Sequence, residues 1–239
     1  MSLLEAFRPG EGAVRLVDLA SRTGLTRSTA HRLLNVLATR GFVSAVEDGR
    51  YAIGLKMWEI GLRSMHPGDL SRFAQPYLQD LASTSGETAH LAIRDGNQAV
   101  YLARVVSPQR IAAQTQVGLR VPLYCTATGK ALVAFGGEDV IAQVMAEKRV
   151  KVTAETVIDE KMLRQELERT RERGYSVNMG QHHSETAGVA SPVIGATGEV
   201  IAAFGVAGPR YHFSDETIAE FGELVRKVCD SASRVRFMH

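Results

Sequence analysis

Residues 16–51 read LVDLASRTGLTRSTAHRLLNVLATRGFVSAVEDGRY, and no other stretch restricts the fold of this chain as strongly. Helical spacing over residues 16–22 is cut by Thr23-Gly24-Leu25. A second helix follows over residues 26–40, with Gly41 as its stop and Thr26 or Ser28 as its cap. Ala20, Gly24, Leu25, Ala30 and Leu33 put small or apolar residues where two helices must cross closely. Residues 42–46 and Arg50–Ile53 are β-formers around Glu47-Asp48-Gly49, and Asp-Gly is a strong hairpin signal. Two short helices, a glycine turn and a hairpin make a winged helix-turn-helix.

The second helix has a face of hydrogen-bond donors and cations: Thr26, Arg27, Ser28, Thr29, His31, Arg32 and Asn35. A major groove and its flanking phosphates call for that chemistry. Ser28, Thr29 and Arg32 are the expected base readers, and Arg27 and Arg50 the phosphate ligands. Arg50, near the wing tip, has the minor groove as its alternative. The net charge of +2 is too small to argue for nucleic acid. Local clustering says more, because Arg15, Arg22, Arg27 and Arg32 are offset only by Asp18 between residues 15 and 35.

At 239 residues the chain suits one large domain or two unequal ones, with enough sequence to bury a core. No apolar run approaches the roughly 20 residues that span a bilayer, so no membrane partner is expected. The start, MSLLEAFRPGEG, lacks the features of a signal peptide. The two cysteines, Cys125 and Cys229, match no metal-ligand spacing, and a reducing cytoplasm is the expected compartment. No cofactor and no metal are expected.

Residues 3–7 read as the end of a first helix. Leu55–Arg63 is helical, with Met57 and Trp58 as packing residues, and His66-Pro67-Gly68-Asp69 reads as a break. The expected division is a winged domain over 1–54, a linker over 55–68 and a second domain over 69–239. In the latter, residues 70–85 form an amphipathic helix. Strands are expected over 88–94, 99–106 and, more weakly, 111–115, then over 175–178, 188–194 and 200–207. Residues 121–128 read as an irregular loop feeding a helix over 129–135. Further helices are expected over 139–147 and Glu160–Arg173, and from Asp215 to near Val235 with Ser214 as cap. This mixture implies an α+β domain with one antiparallel sheet.

Three passages carry a resemblance to the IclR-type (isocitrate lyase regulator) bacterial transcription factors over nearly the full length. They are RSTAHRLLNVLATRGFV with YAIGLKMWEIG, the central VPLYCTATGKALVAF, and RERGYSVNMGQHHSETAGVASPVIGATGEVIAAFGVAGP. The resemblance implies a GAF-like C-terminal domain that binds a small organic or aromatic acid. It also implies homodimers, often paired into homotetramers, on a double-stranded DNA operator. Effector contacts carried over from it fall in the loop before the GKA segment, at Gln181, at Ser191, and at Gly205 with Ala207. That last pair offers no polar group here, which favours a more apolar ligand.

The residues themselves make sense as a pocket. Tyr124, Cys125, Thr126 and Thr128 precede or surround the Gly129 helix start, where free N–H groups favour a carboxylate. Small residues at Gly205 and Ala207 leave room on one face of a strand. His182, His183 and Glu185 read as a solvated turn rather than a metal site, since adjacent strand residues point to opposite faces. Cys125, with His90 or His182 as a base, has no spacing that demands catalysis. The reading is a ligand-responsive, DNA-binding transcriptional regulator on a rough palindrome. Its rivals are an enzyme, or an oligomerising domain without effector control, that carries a winged helix.

Overall fold

The computed structural model describes residues 2–8, 11–63, 65–106 and 116–234. It divides into two compact units, Met1–Asp69 and Leu70–His239. The strand expected over 111–115, the packing of Trp58 and the last helical residue near Val235 lie outside the described residues.

The first unit contains α1 (Ser2–Glu5), β1 (Val14–Arg15), α2 (Leu16–Thr23), α3 (Arg27–Thr39), β2 (Val43–Val46), β3 (Arg50–Ile53) and α4 (Leu55–Arg63). Gly24 closes α2 in the left-handed region at φ 67°, where a side chain would be strained. Thr26 opens α3, its hydroxyl accepting from the Thr29 N–H at 3.3 Å. Leu19, Ala20, Ala30, Leu34, Val43 and Tyr51 meet in a shared core. Leu33 is not in it: it is 39% exposed while Leu34 is fully buried. The inner stripe of α3 runs through Ala30 and Leu34 at a spacing of four, and one residue along a helix turns the side chain by about 100°.

The wing is a three-stranded sheet in the order β1-β3-β2, with β1 added to the expected hairpin through Val14 opposite Tyr51. Its tip, Glu47–Gly49, turns with Asp48 in the left-handed region at φ 62°. Arg22 grips Glu11 with two bonds of 2.6 Å and donates to the Ala6 carbonyl at 2.8 Å, fastening the N-terminal segment to α2.

The second unit opens within α5 (Met65–Ser85). The sequence His66-Pro67-Gly68-Asp69 therefore starts a helix instead of breaking one. Proline is tolerated in a first turn, where its missing N–H has no helical partner to lose. There follow β4 (Thr88–Asp95), β5 (Gln98–Val105), β6 (Arg120–Pro122), α6 (Ala127–Phe135), α7 (Glu138–Ala146), α8 (Glu160–Arg173), β7 (Ser176–Met179), β8 (Thr186–Ile194), β9 (Val200–Pro209) and α9 (Asp215–Arg234). The six strands form one antiparallel sheet in the order β6-β5-β4-β9-β8-β7.

Part of the expected loop at 121–128 is the edge strand β6, and α6 begins two residues earlier than expected. Proline at 122 is compatible with an edge, because one side of such a strand needs no ladder donor. Ala74, Leu78 and Leu81 of α5 and Val225 and Cys229 of α9 pack with Phe204 on one sheet face. Ala131 and Leu132 of α6, Ile141 of α7 and Leu163 of α8 pack with Ala203 on the other. Period-two alternation along β9 sends Phe204 and Ala203 to these opposite layers. No helix among the described residues is long and apolar enough to cross a membrane.

Candidate functional site

On α3, Arg27, Ser28, His31, Arg32 and Asn35 are exposed and Thr29 is half-buried. The Thr26 hydroxyl donates to Thr29 Oγ1 at 2.9 Å and lies 3.1 Å from Ser28 Oγ. Both threonines thus build the start of the helix. Arg27, Ser28 and Arg32 form its outward face around amide groups that no earlier turn can satisfy. His31 Nε2 and Asn35 Nδ2 approach at 3.5 Å one turn further on. Arg50 stands behind the wing tip, at the start of β3 opposite Val46 and Arg15. It is half-buried, with Nε enclosed. The tip itself presents Glu47 and Asp48, both exposed, so the wing's leading edge is acidic.

In the second unit, a cleft enclosing about 50 Å³ opens on the α6 side of the sheet. Its polar lining includes His90 of β4, Tyr101 of β5, Thr126, Asn178 of β7, and His182 and His183 of the β7–β8 turn. Among the described residues no lysine, arginine or carboxylate lines it. His90 is 3% exposed, and its ring meets that of Tyr101 edge-on at 4.8 Å. Its Nδ1 makes no hydrogen bond to the described residues. Burial holds the imidazole down to about 4 against a smaller opposing pull from the Thr88 backbone, and burial likewise pushes the Tyr101 phenol up to about 12. His182 is held to about 4 by burial and by its neighbour His183, the two rings being 4.3 Å apart. At neutral pH His90, Tyr101 and His182 are therefore uncharged.

Two of the nine residues expected at the ligand, Thr126 and Ala207, line this cleft. Even there, the Thr126 hydroxyl is engaged, accepting from Gly129 N at 3.2 Å and donating to the Pro122 carbonyl at 2.9 Å. Thr128 is buried behind Tyr101, next to its phenol. Gly205 lies under His90: a Cβ there would stand 3.2 Å from His90 Nε2 and 2.9 Å from the Val189 carbonyl. The small residue makes room for an imidazole of the protein itself.

The other five do not line the cleft. Tyr124 hydrogen-bonds both the carbonyl (2.8 Å) and the N–H (3.0 Å) of Val150. Cys125 is buried, its thiol pushed up to about 12 by desolvation, which removes the nucleophile reading. Gly129, inside α6, packs so closely on the Leu123 backbone that a Cβ would collide at 2.4 Å. Gln181 accepts from Lys130 and donates to Glu166 Oε1 at 2.8 Å, completing a triad with the 3.0 Å Lys130–Glu166 pair. Its carboxamide is thereby committed. Ser191 was expected to face a pocket or solvent. Instead it is buried on the α9 side of the sheet, donating to the Gly174 carbonyl at 2.8 Å, while its own carbonyl accepts from Cys229.

Tyr101 and Asn178 are cleft residues that sequence reasoning missed, and His90 and His182 enter that reasoning only as bases for Cys125 and not as ligand contacts. One signal pointed to His90. The alternation of β4 puts His90 on the same face as Ala92, but only the β4–β9 register sets it opposite Gly205. Among the described residues no group of three or more His, Cys, Asp or Glu side chains is placed to hold a metal ion.

A winged helix-turn-helix with an exposed polar recognition helix, carried in one chain with an α+β domain that holds a small cleft, defines a DNA-binding transcriptional regulator. Residues 1–47 match the IclR helix-turn-helix domain, and residues 62–234 match the domain described as bacterial transcriptional regulator IclR C-terminal. The chain belongs to the IclR family of transcriptional regulators, which are not enzymes.

It is 31% identical over 231 residues to the acetate operon repressor of Salmonella typhimurium, covering 95% of this chain and 84% of that protein. Among solved structures, an IclR homologue from Microbacterium hydrocarbonoxydans complexed with 4-hydroxybenzoate superimposes with a TM-score of 0.86. The identity is 26%, with 97% of this chain and 95% of that one covered. The IclR of Thermotoga maritima gives 0.75 at 30% identity, covering 97% and 94%.

Proposed function

We propose that the protein is a sensor of a small organic or aromatic acid that changes its affinity for a specific operator when the acid occupies the α+β domain. Residues 1–54 read DNA, residues 69–239 bind the effector and assemble the oligomer, and residues 55–68 link the two. The observation that carries this reading is the pairing, in one chain, of an exposed recognition face on α3 with an enclosed cleft lined by side-chain donors and acceptors. The homologue crystallised with 4-hydroxybenzoate supports the class of ligand. A homodimer or homotetramer sets two α3 helices in successive major grooves, so the operator is a rough palindrome with half-sites about 10 base pairs apart or a multiple of that. The compartment is the cytoplasm.

In base recognition, Ser28, Thr29 and Arg32 face the base edges, and His31 and Asn35 extend the same DNA-binding face. Arg27 and Arg50 face phosphates, and Thr26 positions the helix start. The test begins with an operator selected from random DNA by the purified protein. Arg32→Ala is expected to weaken that operator by about 1–3 kcal/mol more than it weakens random DNA. Arg27→Ala lowers both alike and flattens the salt dependence. Equal losses on the two DNAs from Arg32→Ala remove it from base reading.

A further inference from the structure

The cleft in the second unit poses an electrostatic problem for any acid. A carboxylate that leaves water for an enclosed site needs a counter-charge, and among the described residues the lining supplies no lysine or arginine. Lys130 is near in sequence to Thr126 and Thr128 but does not line the cleft, its ammonium being held by Glu166 and Gln181. What the cleft does contain is His90, almost wholly buried, with an Nδ1 that makes no hydrogen bond to the described residues.

We propose that the cleft takes its organic acid together with one proton, which His90 accepts, so that the carboxylate is buried against an imidazolium and not alone. The inference rests on the effector reading above and deepens it. The acid enters as its anion, one proton from solvent adds to the ring, and the complex gains no net charge. Both ring nitrogens then donate, one of them to the carboxylate.

The Thr88 backbone beside His90 accepts from the ring and favours its charged form, and no other described group around it competes for this part. Tyr101 faces it edge-on from β5 and keeps its proton. β9 and β8 bring the uncharged Gly205 and Ala190 beneath it. Cys125, in the loop leading into α6, is a protonated thiol. Across the cleft, His182 is uncharged at neutral pH and His183 sits at the solvent edge. None of these offers a fixed positive charge that would make His90 redundant. The Gly205 position has a reason in the same picture, since any side chain there would press on the His90 ring.

The consequence is an effector affinity linked to protons. Between the free and ligand-bound pKa of one titrating group, each unit of lowered pH tightens binding of an anion about tenfold. The test titrates 4-hydroxybenzoate, benzoate and acetate into the full-length protein by calorimetry at about pH 6, 7 and 8, where all three stay ionised. Each pH is run in buffers of low and high ionisation enthalpy, so that bound protons are counted directly. Expected are an uptake of about one proton per site, an affinity near tenfold tighter per unit of pH lowered, and His90→Gln binding with neither. Binding with no proton uptake and no pH slope in the unsubstituted protein overturns the inference while leaving the effector reading intact. Failure of all three acids to bind at every pH overturns both.

Discussion

His90 is a titratable residue buried in the cleft, and its burial has a cost that pH can read. Held to about 4 by desolvation, it is neutral in the folded state and titrates normally in the unfolded chain. Its folded pKa is therefore depressed, and between pH 6.5 and about 4 the unfolded chain binds more protons. Stability from this group is complete above that window and falls as pH drops through it. At roughly 1.4 kcal/mol per unit, the loss approaches about 3 kcal/mol. Urea unfolding of the second unit from about pH 7 to about pH 4 checks this: the slope is expected to shrink in His90→Gln, and an unchanged slope assigns the acid sensitivity elsewhere. The same residue shows where sequence reading stopped. His90, Tyr101 and Asn178 lie on three separate strands, and what joins them is strand register, which a linear pattern does not contain. Gln181 and Ser191 are real buried polar positions, yet which partner claims a buried polar group is decided by tertiary neighbours. Lys130 and Glu166 took the one, and Gly174 the other.

Among elements, those with punctuation at both ends were the most legible. α8 is bounded by the Asp159 cap and Gly174, α3 by Thr26 and Gly41, and the β4–β5 hairpin by Asp95-Gly96-Asn97; all three stand where the sequence sets them. Elements whose signal is weak or non-local were not legible. β1 and β6 have two and three residues, and each is a strand only because a partner strand lies beside it. The start of α5 was misread because a proline inside the first turn looks like a breaker when the helix start is not known. The α3 start yields a test that separates two roles of Thr26. If its hydroxyl serves as the cap, Thr26→Ala costs the winged unit about 1 kcal/mol. Thr26→Asp then restores stability through the cap and the helix dipole, yet weakens DNA binding by setting a carboxylate beside the phosphates. Thermal unfolding and binding to random DNA read the two effects separately. A Thr26→Ala protein with unchanged stability removes the cap role.

For the whole molecule, the two units carry different chemistry, and regulation requires a free energy that couples them. The family and the winged fold define the output, and the cleft defines the candidate input. Coupling between two sites is reciprocal: whatever factor the effector imposes on operator affinity, operator DNA must impose on effector affinity. Typical couplings of about 1–3 kcal/mol correspond to roughly 5–150-fold. The prediction is therefore double. A saturating acid that binds the cleft changes operator affinity within that range, and saturation with the selected operator changes the affinity for the acid by the same factor and in the same direction. Random DNA of equal length is the control, because contacts to phosphate alone need not distinguish the two arrangements of the protein. If His90 takes up the proton, the coupling joins three partners, and at fixed acid concentration operator occupancy becomes pH-dependent in the unsubstituted protein but not in His90→Gln. Equal factors of one, with the acid demonstrably bound, leave the cleft as a binding site without control over DNA.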